Sequence, residues 1–376
     1  MNVKRILYLT GTRADFGKLK PLMLKLEQDP AFDVHVFVTG MHMLSKYGYT
    51  VDEVRKCGFR NIYNFINHTG TAPMDTILAN TIFGISNYLS EYSIDMIIVH
   101  GDRVEPLAGA IAGSLNNILV CHIEGGEVSG TIDELLRHAI SKLSHIHMVA
   151  NEKARRRLIQ MGEDPFRIFL IGSPDIDIML SDELPSLDAV KKHYEIPYDE
   201  YALFIYHPVT TEMKTLRDGF REVLAALAAS GRKYVAVYPN NDPGNEILME
   251  EMETLRGNPD FMIFPSIRFE NFLVLMKNCE FIIGNSSAGV REAEIYHRTA
   301  INIGTRQQNR HHSANIINVP EDRDKILEAI RAVPGRQNSN SYSFGDGRSA
   351  DRFHEIINNP GTWKIPCQKN FIDIDF

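Results

Sequence analysis

Acidic side chains follow short apolar runs at three points in the first half of the chain. Asp102 follows the run Met96–His100, Glu124 follows Leu119–Ile123, and Asp133 lies a few residues further on. Because the carboxyl ends of parallel strands meet at one edge of a sheet, we expect these three carboxylates to share an edge. Carboxylates placed in this way can act as general acids and bases.

Each acid also has a purely structural explanation. Asp102 precedes a predicted helix that starts at Val104, and Asp is a good N-cap residue. Asp133 lies four residues before Arg137, which is the spacing of a helix salt pair. Three acids at consecutive strand-to-helix switches favour acid–base chemistry, although the residues alone leave both explanations open.

The turn after the first apolar run predicts an anion site. The segment Gly11–Lys18 carries Arg13 and Lys18 and leads into a helix. A helix N-terminus offers unpaired N–H groups and the positive end of a dipole, which suit an anion. The segment contains neither GxGxxG nor a Walker A motif, so no dinucleotide or ATP fingerprint is present.

The second half of the chain carries a stronger anion-binding pattern. Ser286 and Ser287 stand between a predicted strand and a helix, where hydroxyl and backbone N–H groups can hold a phosphate. Glu292, one turn into that helix, could accept hydrogen bonds from the two hydroxyls of a ribose. His207 follows another strand, and Arg306 could donate as a fork to a diphosphate.

Short apolar runs alternate with amphipathic segments along most of the chain. Continuous apolar runs are typical of parallel strands covered on both faces, and their alternation with helices predicts an α/β fold of βαβ units. The pattern pauses between Ile171 and Pro197 and then restarts. We therefore predict two doubly wound domains, at 1–172 and 173–348. The predicted strands are Arg5–Leu9, Val34–Val38, Met96–His100, Leu119–Ile123, Ile146–Val149, Ala202–Tyr206, Tyr234–Tyr238, Phe261–Phe264, Phe281–Ile283, Ala300–Ile303 and Ile316–Val319.

Composition excludes several classes of function. The length of 376 residues suits two domains, and the net charge of −8 offers no basic excess for nucleic acid. No apolar run approaches the ~20 residues that span a bilayer, so no membrane partner is expected. The first run, Ile6–Leu9, is too short for a signal peptide, and the four dispersed cysteines fit a reducing cytoplasm. His145 and His147 share a strand face without a third ligand nearby, so no metal site is expected.

Six motifs, in order and across nearly the whole chain, resemble those of the UDP-N-acetylglucosamine 2-epimerases. The resemblance is to the hydrolysing branch. The non-hydrolysing branch has Pro-Glu-Glu where this chain has Ile132-Asp133-Glu134, and a basic run where it has His207-Pro208-Val209. The motifs are GTRADFGK, HGDR, HIEGGEVSGTIDELLRH, FIYHPVTTE, GNSSAGVREAE and GTRQ.

The resemblance implies the glycosyltransferase-B architecture, with two Rossmann-like domains facing across a cleft and the nucleotide held mainly by the second. It implies that the C-terminal helix and tail, 349–376, return to the first domain. It implies a homodimer or homotetramer and no cofactor. The implied reaction converts UDP-N-acetylglucosamine and water to UDP and N-acetylmannosamine through 2-acetamidoglucal, as the first step of sialic acid biosynthesis.

The resemblance also assigns roles to residues. Which carboxylate removes the proton from C2 stays open. Four alternatives stay open as well: an epimerase of a UDP-diacetamido-trideoxy sugar, a non-hydrolysing epimerase, a glycosyltransferase of the same fold, and a nucleotide-sugar sensor without catalysis. The catalytic residues are predicted to be Asp102, Glu124 and Asp133. The residues predicted to bind the UDP-sugar are Arg13, Lys18, Arg137, Asp177, His207, Asn240, Phe272, Ser286, Ser287, Gly289, Glu292 and Arg306.

Overall fold

The structure is a computed structural model that describes residues 3–70, 72–129, 132–307, 313–334 and 344–373. The described residues form two compact units. The first contains those of 1–127, 133–181 and 343–376, and the second those of 128–132 and 182–342. Each unit has its own parallel sheet and its own apolar core.

The first unit is built on a parallel sheet. Its strands are β1 (Lys4–Thr10), β2 (Phe32–Val38), β3 (Asn61–Asn64), β4 (Met96–His100), β5 (Leu119–Ile123), β6 (Ile146–Val149) and β7 (Ile168–Leu170). In the described part of the chain the strand order is β3-β2-β1-β4-β5-β6-β7. The order of the strands reverses between β1 and β4, and in open α/β sheets ligands bind beside such a switch point.

Helices cover both faces of this sheet. The helix predicted after the Gly11–Lys18 segment starts within it, at Arg13, because Thr12 accepts from the backbone N–H of Asp15 and Asp15 returns the bond as a capping box. The helices are α1 (Arg13–Glu27), α2 (Val51–Lys56), α3 (Met74–Glu91), α4 (Val104–Leu115), α5 (Ile132–Leu143), α6 (Glu152–Gln160) and α7 (Pro174–Met179). Short 3-10 turns lie at Gly40–Met43, Ser45–Tyr47 and Pro165–Arg167.

The second unit repeats the same architecture. Its helices are α8 (Leu187–His193), α9 (Leu216–Ala229), α10 (Asn245–Glu253), α11 (Phe269–Asn278), α12 (Ser287–Val290), α13 (Glu292–Ile295) and α14 (Arg323–Ala332). Its strands are β8 (Ala202–Ile205), β9 (Tyr234–Val237), β10 (Phe261–Phe264), β11 (Phe281–Gly284), β12 (Thr299–Ile303) and β13 (Ile316–Val319). Among the described residues the order is β10-β9-β8-β11-β12-β13, again with a switch point, here between β8 and β11.

The C-terminal segment packs on the first unit. Helix α15 (Ser349–Asn358) contacts α1 and α7, and a 3-10 turn at Thr362–Lys364 follows it. Because α7 packs in this way, the first unit extends to Ser181 rather than ending at the expected boundary of Gly172. Among the described residues, no helix is long and apolar enough to cross a membrane.

A buried ionic network ties the C-terminal tail to α5. The carboxylate of Glu163 is 1% exposed and accepts from Lys142, His147 and Lys369. These bonds outweigh burial, which alone would raise the pKa of Glu163, and lower that pKa to about 2. Lys369 also donates to the carbonyls of Ser141, Lys142 and Ser144 at the end of α5. A cation at this position caps the helix and complements its dipole.

We expect Lys369→Met to destabilise the first unit. The substitution removes a charged hydrogen bond to Glu163 and the cap of α5, so the free energy of unfolding should fall by about 2 kcal/mol. Urea unfolding monitored by circular dichroism measures the change. Lys364→Met, which replaces an exposed lysine of the same tail, is the matched control. Equal stability of the two variants would contradict a capping role for Lys369.

Candidate active site

Asp102 lies at the carboxyl end of β4 and is paired with a buried arginine. Arg137 of α5 is 1% exposed, and its guanidinium donates to the carboxylate of Asp102 and to the carbonyl of Glu127. The N-cap position of α4 is occupied by Arg103, so Asp102 lies outside the helix that it was a candidate to cap. Arg137, which the local spacing paired with Asp133, thus also bonds an acid 35 residues away in the sequence.

Arg137 connects two of the three acids. Burial alone would lower the pKa of Arg137, but the negative charges of Asp102, Glu127 and Asp133 outweigh it and raise the pKa. Asp133 lies in the first turn of α5, one turn before Arg137, and is half-buried. Asp102 and Asp133 therefore share the electrostatic field of one buried guanidinium.

Glu124 lies at the end of β5 in a dense polar cluster. Its carboxylate accepts from the hydroxyl of Ser173, lies 3.3 Å from Nε2 of His100 and lies 3.8 Å from Nζ of Lys18. The same Lys18 ammonium is 3.5 Å from the buried carboxylate of Asp175. The backbone of Glu124 has φ 67°, a left-handed conformation that costs energy in a non-glycine residue. Such strain is often found at functional sites.

The turn that carries Arg13 is stabilised by the side chain of Asp15. The carboxylate of Asp15 accepts from the hydroxyl of Thr10 and from the N–H groups of Gly11 and Thr12. Burial raises the pKa of Asp15, although these bonds oppose the shift. Arg13 is the first residue of α1 and is half-buried. This network positions the turn at the carboxyl end of β1, beside β4, the strand that leads to Asp102.

In the second unit, Asn285 joins three of the predicted binding residues. Its side chain accepts from the N–H of His207 at 2.7 Å and donates to the carbonyl of His207 at 2.9 Å. Its carbonyl accepts from Arg306 and from Gln307. Nδ1 of His207 accepts from the N–H of Asn240. The ends of β8, β9, β11 and β12 are thus tied together around one fully buried side chain.

The serine-rich turn after β11 leads into two short helices instead of the one helix predicted there. Ser286 caps α12 by accepting from the N–H of Ala288, and Ser287 is the first residue of that helix. Gly289 lies within α12, and Glu292 begins α13 and is 4% exposed. A buried carboxylate at this position suits a hydroxyl-rich ligand.

Two of the predicted binding residues are not among those that form the two clusters above: Asp177 bonds the start of α15, and Phe272 lies in α11. Both carboxylate oxygens of Asp177 accept from the N–H groups of Ser349 and Ala350, at 2.9 and 2.7 Å, and so cap α15. This use of the carboxylate does not favour the binding role expected for it. Phe272 lies in the first turn of α11 and is half-buried.

Other residues in these clusters were not predicted, and the two histidines of the predicted pair have separate structural partners. His100 ends the strand-like run Met96–His100 and Asp175 follows another such run, which is the signal that could have identified them. His145 precedes β6; its Nδ1 accepts from the N–H of Val120 and its Nε2 donates to the carbonyl of Cys367. His147 pairs with Glu163. In the part of the chain that the structure describes, no group of three or more His, Cys, Asp and Glu could hold a metal.

Comparison with known proteins decides the family. The family model described as UDP-N-acetylglucosamine 2-epimerase matches residues 24–358. The chain belongs to this family. A curated family member from Neisseria meningitidis, named UDP-N-acetylglucosamine 2-epimerase, is 48% identical over 99% of this chain and 100% of its own length. A relative from Legionella pneumophila, named UDP-N,N'-diacetylbacillosamine 2-epimerase (hydrolyzing), is 34% identical over 94% of this chain and 96% of its own length.

A solved structure confirms the fold class of this epimerase-family chain. The UDP-GlcNAc 2-epimerase of Methanocaldococcus jannaschii, in complex with UDP-GlcNAc and UDP, superimposes with a TM-score of 0.79 at 21% identity. The match covers 94% of this chain and 99% of that one. Together with the two parallel sheets, it confirms the predicted pair of Rossmann-like units of the glycosyltransferase-B class.

Proposed function

We propose that this protein is a hydrolysing UDP-N-acetylglucosamine 2-epimerase that converts UDP-N-acetylglucosamine and water to N-acetylmannosamine and UDP. The observation that carries the proposal is the placement of Asp102, Glu124 and Asp133 at one edge of the first sheet. Two of these acids face the buried Arg137, and the third lies against Lys18 and His100. Helix capping does not explain the pairing of Asp102 with Arg137.

The reaction requires a base and an acid at C2 of the sugar. In the first step a carboxylate takes the C2 proton, the electron pair forms the C1–C2 double bond, and the C1–O bond to UDP breaks. In the second step water adds its oxygen to C1, and a proton reaches C2 from the opposite face. Three carboxylates at one sheet edge supply the proton acceptor and donor that the two steps need.

The second unit supplies groups suited to the leaving nucleotide. Arg306 and His207, joined through Asn285, can stabilise the charge that develops on the diphosphate as the C1–O bond breaks. The buried carboxylate of Glu292 can accept from the ribose hydroxyls. No step of this chemistry transfers electrons, so a nicotinamide is not required.

Two features support hydrolysis over simple epimerisation. The chain has Ile132-Asp133-Glu134 and His207-Pro208-Val209 in place of the motifs of the non-hydrolysing branch. The Legionella relative, which matches nearly the whole chain, carries the word hydrolyzing in its name. The N-acetylmannosamine released in this way would enter sialic acid biosynthesis.

The same relative supports a second candidate substrate. An enzyme that acts on UDP-N,N'-diacetylbacillosamine would use the same acids and the same nucleotide site, with a different sugar pocket. The higher identity to the Neisseria epimerase, 48% against 34%, favours UDP-N-acetylglucosamine. The ratio of kcat/KM for the two sugar nucleotides distinguishes the candidates.

We expect purified protein in heavy water to release UDP and N-acetylmannosamine deuterated at C2, without added cofactor. The deuterium should appear because the proton removed from C2 exchanges with solvent or is replaced by a solvent-derived one. Proton NMR of the products measures both the sugar and the label. Accumulation of UDP-N-acetylmannosamine would identify a non-hydrolysing enzyme, and release of a sugar with protium at C2 would contradict elimination.

A further inference from the structure

A buried histidine lies directly behind the acid cluster and has no part in the chemistry described so far. His122 of β5 is 0% exposed, and burial, aided by nearby positive charges, lowers its pKa to about 3. Its Nε2 lies 2.8 Å from the carbonyl oxygen of Gly101, and its Nδ1 lies 3.0 Å from the hydroxyl of Ser141 in α5. The imidazole therefore joins the end of β4 to the last turn of α5.

The partners of His122 determine its tautomer. A carbonyl oxygen can only accept, so Nε2 carries the hydrogen and donates to Gly101. Nδ1 of a neutral imidazole is then an acceptor, and the hydroxyl of Ser141 must donate to it. Burial keeps the ring neutral, and the two bonds hold it in one orientation.

The peptide that His122 holds is the one that leads into Asp102. The N–H of Gly101 donates to the carbonyl of Ile123, and its carbonyl accepts from His122, so β5 fixes both polar groups of this glycine. Gly101 has φ 78°, a conformation that glycine adopts without strain. Asp102 follows directly, and its carboxylate is bonded by Arg137, one turn before Ser141 on the same helix.

The bridge also lies against the residue after Glu124. A Cβ atom on Gly125 would come within 3.0 Å of both Nδ1 of His122 and the hydroxyl of Ser141. This close approach means that the peptide following Glu124 packs directly on the bridge. The bridge of His122 and Ser141 therefore contacts the backbone just before Asp102 and just after Glu124.

We propose that His122, bridged to Ser141, is a positioning residue that fixes the orientation of the Asp102 carboxylate relative to Glu124. The proposal rests on the proposed function, in which Asp102 takes part in proton transfer at C2. The neutral ring does not touch the substrate or exchange a proton with it. It holds the peptide before Asp102 through the carbonyl of Gly101, while Arg137 of α5 holds the carboxylate of Asp102.

Two near-isosteric substitutions separate the two bonds of the ring. The amide nitrogen of Gln can replace Nε2, so His122→Gln can keep the bond to Gly101 and lose the acceptor for Ser141. Asn reaches only the position of Nδ1, so His122→Asn can keep the contact with Ser141 and loses the bond to Gly101. We expect kcat to fall about tenfold or more in His122→Asn and much less in His122→Gln, with KM nearly unchanged in both, because misplacement of a catalytic group slows the chemical step.

A double-mutant cycle with Asp102 isolates the positioning role. If His122 acts only through Asp102, His122→Asn should cause no further loss of kcat in the Asp102→Asn background. His147, the residue opposite His122 on the neighbouring strand, provides the control. His147 is bonded to Glu163, so His147→Asn should lower the melting temperature without a comparable loss of kcat at a temperature where the protein is folded.

The outcomes distinguish this proposal from the proposed function. A wild-type protein that does not act on either UDP-sugar overturns the proposed function itself. If the wild type is active and Asp102→Asn is impaired, three results overturn the positioning role alone. These are an unchanged kcat in His122→Asn, equal losses in the Asn and Gln variants, or additive losses in the double mutant.

Discussion

Replacing Asp102 with Asn should leave a folded protein that still binds UDP but turns over its substrate at least about a hundredfold more slowly, as expected when a general acid or base is lost. The amide can still accept from Arg137, so the local arrangement should survive. Because the substitution removes a negative charge that faces a buried guanidinium, we expect a loss of about 1–3 kcal/mol in the free energy of unfolding. This cost is a consequence of the observed ion pair and would not arise if Asp102 were only a helix cap.

Glu124→Gln and Asp133→Asn should give losses of the same order. Glu124 lies between Ser173, His100 and Lys18, and its amide analogue can still accept from the serine hydroxyl. The two steps of the reaction need protons at different positions, so the variants should differ in which step they lose. A variant that has lost only elimination will still hydrate supplied 2-acetamidoglucal to N-acetylmannosamine.

Steady-state release of UDP, UDP binding by calorimetry and thermal unfolding together test these three variants. Asp188→Asn, which changes an exposed acid in the first turn of α8, serves as the control for the loss of one negative charge. Near-normal turnover in all three variants would mean that the carboxylates have a structural role only. The family and fold would then stand, and the proposed chemistry would be wrong.

Strands buried on both faces were predictable from the sequence. Met96–His100, Leu119–Ile123 and Ile146–Val149 are continuous apolar runs, and the structure gives them the same bounds. The edge strand β3, Asn61–Asn64, is half polar and is exposed in part, so it lacks the apolar run that identifies a buried strand. Hydrophobic pattern reports burial, so it missed this half-polar edge strand, although it identified the apolar edge strands β10 and β13.

The partners of the acids were less predictable than the acids themselves. Asp102 and Glu124 can be found because they closely follow strands, and Asp133 because it lies in the first turn of the helix after the second of these strands. The pairing of Arg137 with Asp102, 35 residues away, depends on how α5 packs against the end of β4. A local spacing rule favoured Asp133 as the partner, since residues four apart are neighbours on a helix. Tertiary packing brought a second carboxylate into contact with the guanidinium.

The binding residues of the second unit show the same limit. His207 and Arg306 were predictable from residue type and from position after a strand. Asn285 bonds the backbone of His207 and accepts from the side chain of Arg306. The sequence showed it as part of a motif but gave no sign of these contacts. Asp177 carries no local sign that its carboxylate caps α15, because the helix that it caps begins 172 residues later. Contacts between distant segments require the fold.

Glu292→Gln should weaken UDP binding about tenfold to a hundredfold while changing kcat much less. A carboxylate that accepts from ribose hydroxyls contributes about 1.5–3 kcal/mol, and the neutral amide offers a weaker acceptor. The matched control is Glu294→Gln on the same short helix, since Glu294 is equally buried and its carboxylate accepts from Ser313. If the two variants bind UDP with the same affinity in calorimetry, Glu292 has no special role in the nucleotide site. A selective loss in Glu292→Gln would instead place the ribose at Glu292, because both variants lose one buried negative charge on the same helix.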